Sequence, residues 1–324
     1  MGNLAERVIV TGGSGFIGSH LTEFLLRQGR AVLIFDRRPP GPTAHSQLWF
    51  PGDLMQQSHV VDAIRHFEPD VVFNLAAETN INASANELVV NSLGLKHLAA
   101  AMTSTRRTPS LLHVSTQLVV APGPHAKGPQ DWRPYSLYGK SKAEGEKYLH
   151  TVDSMSWDIV RPTNVWGPRH ATFGDQIWRF IDKGWYLHPT GRDAIRAYGY
   201  VDNVVSQMVR LADRGGRRNT LYVGDRPIPS SQWVDAFSLC LRGRRAHRVP
   251  ASLLQVLGRC GDISGRVGLP SPINSGRVYR MTSDYTVPME PTYALLGEEG
   301  SVSLDEGVRR TVSWLRSGEP NTSS

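Results

Sequence analysis

The segment that most constrains how this chain can fold is a glycine-rich turn, Thr11-Gly12-Gly13-Ser14-Gly15-Phe16-Ile17-Gly18. The apolar run Val8–Val10 enters the turn and the amphipathic run His20–Leu26 leaves it, so the order is strand, turn and helix. Glycines here permit a tight turn, close approach of backbone N–H groups to a pyrophosphate, and close contact between helix and strand. Because the positive end of the helix faces the same point, the turn predicts a phosphate-binding site.

A carboxylate follows the turn at the spacing that a dinucleotide site requires. The next apolar run, Ala31–Phe35, ends in Asp36, about 20 residues after the glycines, where a carboxylate can accept a hydrogen bond from a ribose hydroxyl. Arg37 and Arg38 come next and offer positive charge to a 2′-phosphate, but Asp36 would repel that group. The pattern therefore predicts NAD as the cofactor and disfavours NADP.

The composition excludes several other classes of protein. The chain has 324 residues, 40% of them hydrophobic and 20% charged, as is typical of a globular protein with one or two domains. No apolar run approaches the length of a membrane span, and the first strand begins at Val8, which leaves no room for a signal peptide. Cys240 and Cys260 have no metal-ligand spacing. We therefore expect a cytoplasmic protein with no membrane partner and no metal site.

The formal net charge is +7, and a basic run spans Arg242 to Arg248. No aromatic stacking motif accompanies this run and no nucleic-acid-binding signature appears in the sequence, so we expect a solvated basic face and no nucleic-acid partner. An anionic nucleotide substrate is a second, compatible reason for the positive charge.

Apolar strands alternate with helical segments through the first half of the chain. The predicted strands are Val8–Val10, Ala31–Phe35, Val71–Leu75, Leu111–Val114 and Trp157–Val160. The predicted helices are Ser19–Gln28, Ser58–Phe67, Glu87–Met102 and Tyr138–Leu149. This alternation predicts an α/β fold with a doubly wound parallel sheet of the Rossmann type, whose ligands bind beyond the carboxyl ends of the strands.

After about residue 165 the pattern becomes irregular, and Gly and Pro become frequent. We predict a dinucleotide-binding domain over residues 1–165 and a smaller, discontinuous α/β substrate lobe over residues 166–316, followed by a frayed tail over 317–324. The helix Asp202–Ala212 and the strand Thr220–Val223 are predicted to return to the first domain, within residues 198–225.

Tyr138 and Lys142 are the strongest candidates for catalysis. They lie four residues apart at the start of a predicted helix, so they share one helix face. An ammonium beside a phenol lowers the pKa of the phenol, and a bound nicotinamide cation would act in the same direction. Tyr138 is thereby predicted to be a general base, and Thr116, at the end of the preceding strand, to share the proton network of a substrate hydroxyl.

Together, these and further segments resemble the extended short-chain dehydrogenase/reductases, the NAD-dependent nucleotide-sugar epimerase/dehydratase family. The resemblance runs from about residue 6 to about residue 225 and is weaker beyond. The further matching segments are Gly52-Asp53-Leu54, Asn74-Leu75-Ala76-Ala77, Asn91-Ser92-Leu93-Gly94, Val114-Ser115-Thr116, Arg161-Pro162-Thr163-Asn164-Val165-Trp166-Gly167-Pro168-Arg169 and Tyr200-Val201-Asp202-Asn203.

The resemblance implies a role for each matching residue. Thr116, Tyr138 and Lys142 would be the catalytic triad. Thr116, Asn164, Arg196 and Arg280 would bind the substrate, a nucleotide-diphosphate sugar. A homodimer is expected, with the helices Glu87–Met102 and Tyr138–Leu149 at its interface. The residues implied to bind the dinucleotide are Gly12, Gly15, Phe16, Ile17, Gly18, Asp36, Arg37, Asp53, Leu54, Leu75, Ala76, Ala77, Asn91, Tyr138 and Lys142.

Departures from the family pattern reduce the number of reactions that the chain is expected to catalyse. Dehydratases of the family carry an Asp-Glu pair directly after the catalytic Thr, where this chain has Gln117 and Leu118. Elimination of water is therefore not expected, nor is decarboxylation. An epimerase with a transient 4-keto sugar is the first hypothesis, a reductase of 4-keto nucleotide sugars the second, and a non-catalytic NAD-binding protein the third.

Other polar and aromatic residues are predicted to be structural. His45, His113 and His188 form no metal spacing, and Glu144 and Glu146 are predicted to lie on a solvated helix surface. The tryptophans Trp166, Trp178 and Trp185 are predicted to pack the second lobe or its mouth.

Overall fold

The alternating strands and helices of the N-terminal half form one parallel sheet. The computed structural model describes residues 6–41, 43–122, 128–170, 177–266, 268–269, 271, 273–297, 300 and 302–318. Its seven-stranded sheet has the order β11-β6-β5-β4-β1-β2-β3, with every neighbouring pair parallel. These strands are β1 (Arg7–Thr11), β2 (Ala31–Asp36), β3 (Trp49–Pro51), β4 (Val71–Asn74), β5 (Ser110–Val114), β6 (Trp157–Pro162) and β11 (Thr220–Val223).

Short strands of the second half form three two-stranded sheets. They are β7 (Asn164–Trp166), β8 (Leu187–Thr190), β9 (Ile195–Arg196), β10 (Tyr198–Tyr200), β12 (Ile228–Pro229) and β13 (His247–Pro250). The α-helices are α1 (Phe16–Arg27), α2 (Gln57–Phe67), α3 (Ala85–Leu88), α4 (Leu95–Thr103), α5 (Leu137–Leu149), α6 (Arg179–Asp182), α7 (Val201–Ala212), α8 (Ser230–Arg242), α9 (Ala251–Arg266), α10 (Ser275–Thr282), α11 (Glu290–Leu296) and α12 (Leu304–Ser317).

The central sheet is buried on both faces, as its continuous apolar strands predict. Along β1, Val8 and Val10 point to one face and pack in a cluster with residues of α1 and α7. Ile9 points to the other face and packs with residues of α2 and α4. The predicted α/β fold with a doubly wound parallel sheet is confirmed.

The order of the strands creates a crevice beside β1. From β1 the chain proceeds outward through β2 and β3, and it then returns to form β4 on the other side of β1. Such a switch point, at the carboxyl ends of the strands, is where sheets of this kind bind ligands. The glycine-rich turn lies at this point because it follows β1 directly.

One predicted helix is interrupted, and one strand was not predicted. The predicted helix Glu87–Met102 is divided into α3, a π-helical turn over Val90–Gly94, and α4. Within the turn, Gly94 approaches Leu54 so closely that a Cβ on the glycine would lie 2.9 Å from the Leu54 Cβ. Strand β3 was missed because three residues are too few to show an alternating pattern.

The second half has its own aromatic core. Trp166, Trp178 and Trp233 are buried there and pack around Phe237. Packing of Trp166 and Trp178 was predicted, whereas Trp185 is 62% exposed. Strand β11 pairs with β6 in the large sheet, and α7 packs against the same sheet.

Helix α12 ends at Ser317, where the frayed tail was predicted to start, and residues 319–324 lie outside the described part of the chain. Among the described residues, no helix combines the length and apolarity needed to cross a bilayer.

Candidate active site

The glycine-rich turn fits against the end of β4 with no room for side chains. Gly12 has φ of +69°, and a Cβ there would lie 2.7 Å from the backbone N of Ala76. A Cβ on Gly18 would lie 2.2 Å from the carbonyl oxygen of Gly12. Helix α1 begins directly after Gly15, so its unpaired N–H groups face the crevice. The turn therefore forms a cradle of the kind that binds a pyrophosphate.

Replacing Gly12 with alanine is expected to destabilise the protein for two separable reasons. The positive φ costs an alanine about 1–2 kcal/mol, and overlap with the Ala76 backbone adds about 1–3 kcal/mol. Gly29→Ala is the matched control, because Gly29 has φ of +75° and nothing within 4 Å of its Cβ position. Urea denaturation measures both, and equal losses of unfolding free energy would show that the close contact at Gly12 has no effect.

The Asp36 carboxylate is fixed beside this turn by two backbone donors. Its Oδ2 accepts from the N–H of Ser14 at 3.1 Å and its Oδ1 from the N–H of Arg38 at 3.1 Å. The Ser14 hydroxyl donates to the Arg38 carbonyl oxygen at 2.8 Å, which closes the loop onto the turn. Since each carboxylate oxygen has a further lone pair, Asp36 can still accept from a ribose hydroxyl.

Thr116, Tyr138 and Lys142 meet at the carboxyl end of β5. The Thr116 Oγ1 accepts a hydrogen bond from the N–H of Leu118 at 3.2 Å, and the Thr116 hydroxyl acts to lower the pKa of Tyr138. Helix α5 is capped by Ser136, whose Oγ accepts from the N–H of Gly139 at 3.0 Å, and this cap fixes the first turn that carries Tyr138. The Lys142 Nζ donates to the carbonyl oxygen of Val114 at 2.6 Å. All three side chains are buried.

The pKa of Tyr138 differs from the sequence prediction. Burial raises it to about 12, the Thr116 hydroxyl opposes that rise, and the charge of Glu78 adds to it. Lys142 does not lower it, since its ammonium is directed to the Val114 carbonyl. Burial lowers the pKa of Lys142 itself to about 8, although the charge of Glu146 opposes that shift. Phenolate formation therefore needs a further positive charge in the site.

Asn91 connects the crevice to the catalytic helix. Its Oδ1 accepts from the N–H of Glu78 at 2.9 Å, and its Nδ2 donates to the Glu78 carbonyl at 3.0 Å and to the Ser141 hydroxyl at 2.9 Å. The loop after β4 is thereby held against α5. Asn91 therefore positions the loop that carries Glu78 relative to the helix that carries Tyr138 and Lys142.

Glu146 is not on a solvated surface, and that prediction was wrong. The carboxylate is fully buried and receives two hydrogen bonds from the Arg161 guanidinium, at 3.0 and 2.6 Å. Trp132 Nε1 donates to it at 2.7 Å, and Arg161 also donates to the Pro129 carbonyl at 2.7 Å. This buried ion pair fixes the segment before Tyr138 and lies one turn from Lys142. Glu144, by contrast, is exposed as predicted.

Three predicted substrate residues line one cavity of about 460 Å³ in the second lobe: Asn164, Arg196 and Arg280. Arg277 lines it too and was missed. Its position three residues before Arg280, on one face of α10, was the available signal. Guanidinium groups at these positions suit a diphosphate, because each offers a fork of donors. Aromatic and aliphatic side chains form the remaining walls, among them Trp185, Tyr198 and Trp233.

A chain of hydrogen bonds connects this cavity to the catalytic strand. Asn164 Nδ2 donates to the Ala197 carbonyl at 3.0 Å, and Gln117 Nε2 donates to Asn164 Oδ1 at 3.0 Å. Since Gln117 directly follows Thr116, the cavity wall and Thr116 are held in fixed relation. Arg196 also donates to the Arg280 carbonyl, which holds β9 against α10.

The other residues predicted to bind the cofactor differ in burial. Asp53 accepts from the N–H of Met55 at 2.9 Å. Leu54 is buried in the core, where it packs among residues of α2 and α4. The residues that lie at least partly exposed are Phe16, Ile17, Arg37, Leu75, Ala76 and Ala77. His45, His113 and His188 are buried, and the described residues contain no cluster suited to a metal ion.

One family model and several relatives of known activity are similar to this chain. The model of the NAD dependent epimerase/dehydratase family matches residues 8–224. The UDP-glucose 4-epimerase of Mycolicibacterium smegmatis is 27% identical over 96% of this chain and 98% of its own length. The dTDP-4-dehydrorhamnose reductase of Aggregatibacter actinomycetemcomitans is 29% identical over 64% of this chain and 68% of its own length.

A solved structure extends the similarity to the second lobe. The UDP-glucose 4-epimerase of Thermus thermophilus, crystallised with NAD, superposes with a TM-score of 0.72 at 25% identity. The match covers 96% of this chain and 99% of the other.

Proposed function

The chain belongs to the NAD-dependent epimerase/dehydratase family, and from that premise we propose that it is an NAD-dependent nucleotide-sugar epimerase acting through a transient 4-keto sugar. The observation that carries the proposal is the hydrogen bond from Gln117, the residue after Thr116, to Asn164, which joins the end of β5 to an arginine-lined cavity. A sugar diphosphate requires both parts of such a site.

The crevice fits a dinucleotide. Gly12 and Gly18 leave space for a pyrophosphate where any Cβ would collide with backbone. Asp36 would accept a hydrogen bond from the adenosine ribose, and its charge would favour NAD over NADP. Lys142 would hold the nicotinamide ribose. Bound NAD would supply the hydride acceptor and donor, and the positive charge of its oxidised ring would lower the pKa of Tyr138.

The protein's own groups then bind and move the substrate proton. Arg196, Arg277 and Arg280 bind the diphosphate at the cavity, and the sugar extends toward Thr116. Tyr138 takes the proton of the C4 hydroxyl and returns it after the keto sugar has turned over, while the Thr116 hydroxyl keeps Tyr138 in position. Gln117 and Leu118 supply no carboxylate beside the sugar, so elimination does not compete.

A product assay by NMR tests the proposal. The purified protein is incubated with UDP-, GDP-, CDP- and dTDP-sugars, with NAD and without added reductant. A new epimer without net accumulation of NADH is the expected result and identifies the substrate. Net NADH formation without a new epimer contradicts epimerisation.

A reductase of 4-keto nucleotide sugars is the second candidate, supported by the similarity to the dTDP-4-dehydrorhamnose reductase. The same three residues would act in one direction only, with the cofactor released after each turnover. Two results together would favour the reductase hypothesis. They are stoichiometric loss of NADH or NADPH with a 4-keto nucleotide sugar, and no product in the epimer assay. Silence in both assays would favour the non-catalytic NAD-binding hypothesis.

Assembly and location are part of the same proposal. Val89 and Leu137, at the ends of α3 and α5, are exposed large apolar side chains, which supports a homodimer through these helices. Cys240 and Cys260 are unpaired, which supports a reducing, cytoplasmic location. Equilibrium sedimentation at micromolar concentration is expected to give twice the chain mass, and a monomer would contradict the dimer.

A further inference from the structure

Helix α9 is apolar on two sides, and one of them has no partner among the described residues. Leu254, Gly258 and Gly261 are buried, and at Gly261 a Cβ would collide with the carbonyl oxygen of Ile273. On another side, Leu253, Val256 and Ile263 are 46%, 55% and 61% exposed. Their spacing of three and seven residues places these three on one face of the helix, which we call the outer stripe.

The outer stripe borders the substrate cavity. Leu257 lines that cavity and lies one turn after Leu253 on the same helix. Trp185 also lines the cavity and is 62% exposed, so it lies at the opening. Apolar surface therefore continues from the cavity wall outward over α9. The Lys183 Nζ lies 4.7 Å from the centroid of the Trp185 ring. An indole with a charged group on one side suits an interface between apolar and polar surroundings.

Positive charge surrounds the outer stripe. Arg259 and Arg266 are exposed on α9 itself, and Arg244 and Arg245 are exposed in the connection to β13, which leads directly into α9. Two acidic groups offset part of this charge: Asp262 lies near Arg266, and Asp235 pairs with Arg248 at 2.7 Å and lies 3.9 Å from the Nε of Arg245. A second copy of this chain would place like charges against one another, whereas an anionic lipid surface would complement them.

We propose that α9 docks the protein on anionic membrane surfaces. Leu253, Val256 and Ile263 enter the boundary between headgroups and acyl chains, and Arg259 and Arg266 bind lipid phosphates. The helix lies in the plane of the interface, as helices with an apolar face and flanking arginines do. Docking brings the cavity opening to the lipid. The expectation of no membrane partner came from the length of apolar runs, which tests for spanning segments and not for surface binding.

Vesicle co-sedimentation tests the docking. The full chain is mixed with vesicles of phosphatidylcholine alone, or of phosphatidylcholine and phosphatidylglycerol at three to one. Binding is expected to the anionic vesicles only and to weaken as salt is raised. The double variant Val256→Glu/Ile263→Glu is expected to bind at least tenfold more weakly.

The matched comparison is between the single stripe variant Val256→Glu and Gln255→Glu, which adds the same charge at the neighbouring exposed polar position of α9. The Gln255→Glu variant is expected to bind more tightly than the stripe variant, because only the latter removes apolar insertion. Cooperative thermal unfolding, followed by circular dichroism, verifies that both variants fold. Equal weakening by the two variants, or equal binding to both kinds of vesicle, overturns the proposal. Concentration-dependent self-association that the stripe variant abolishes, without vesicle binding, also overturns it and assigns the stripe to a second copy.

Discussion

Replacing Tyr138 with phenylalanine is expected to abolish turnover while the fold and NAD binding are retained. The change removes one hydroxyl, whose pKa is lowered by Thr116 and raised by burial, and which is the group proposed to move the substrate proton. Loss of a positioned general base or acid lowers a rate by about 10²–10⁴-fold. The ring of Tyr138 packs with Ala83 and Leu88 and is unchanged in phenylalanine. The measurement is kcat on the substrate identified by NMR, with NAD affinity measured by calorimetry.

Tyr135→Phe is the matched control. Tyr135 lies three residues earlier in the same segment, but its side chain is exposed. Its loss of a hydroxyl is expected to leave kcat within about twofold, because surface changes away from a site have small effects. Full activity of Tyr138→Phe would refute the assigned proton transfer. A loss of NAD binding in that variant would instead show that the hydroxyl holds the cofactor.

Replacing Glu146 with alanine is expected to lower the free energy of unfolding by about 3–5 kcal/mol. Arg161 would be left as an unpaired charge with almost no exposure, and Trp132 Nε1 would lose its acceptor. The segment that leads to Tyr138 is held through Arg161 and Trp132, so turnover is expected to fall as well. Urea denaturation followed by circular dichroism measures the change.

Glu144→Ala provides the comparison on the same helix. Glu144 carries the same carboxylate two residues earlier, but it is exposed, so its loss is expected to change the unfolding free energy by about 0.5 kcal/mol or less. A similar small change for Glu146→Ala would mean that water or a rearranged Arg161 compensates the buried charge. In that case the ion pair would not be what orders the segment before Tyr138.

Much of the large sheet was predictable because its signals are local. Apolar runs such as Ala31–Phe35 and Thr220–Val223 identify strands that the structure confirms within one residue at either end. Glycine is required for steric reasons at two positions of the first turn, since neither Gly12 nor Gly18 leaves room for a Cβ. Their position at the end of β1 then places the crevice, because parallel strands bind ligands at that edge.

Charge and burial of single side chains were not predictable in the same way. Glu144 and Glu146 are identical in type and nearly adjacent, yet one is solvated and the other is buried against Arg161 of β6. Only a strand from a different part of the chain supplies that partner. The pKa of Tyr138 likewise depends on how burial outweighs its neighbours, and on the direction in which the Lys142 ammonium is turned.

The sequence by itself determined the alternation of strands and helices along the chain and the glycine-rich turn after β1. These follow from periodicity and from the conformational freedom of glycine, which act over a few neighbouring residues. Only the tertiary structure decided that Arg277 and Arg280 meet Asn164 and Arg196 around one cavity, and that one face of α9 stays uncovered by the described residues. Apolar spacing shows that a helix has an apolar face, whereas packing of distant segments decides whether anything covers that face.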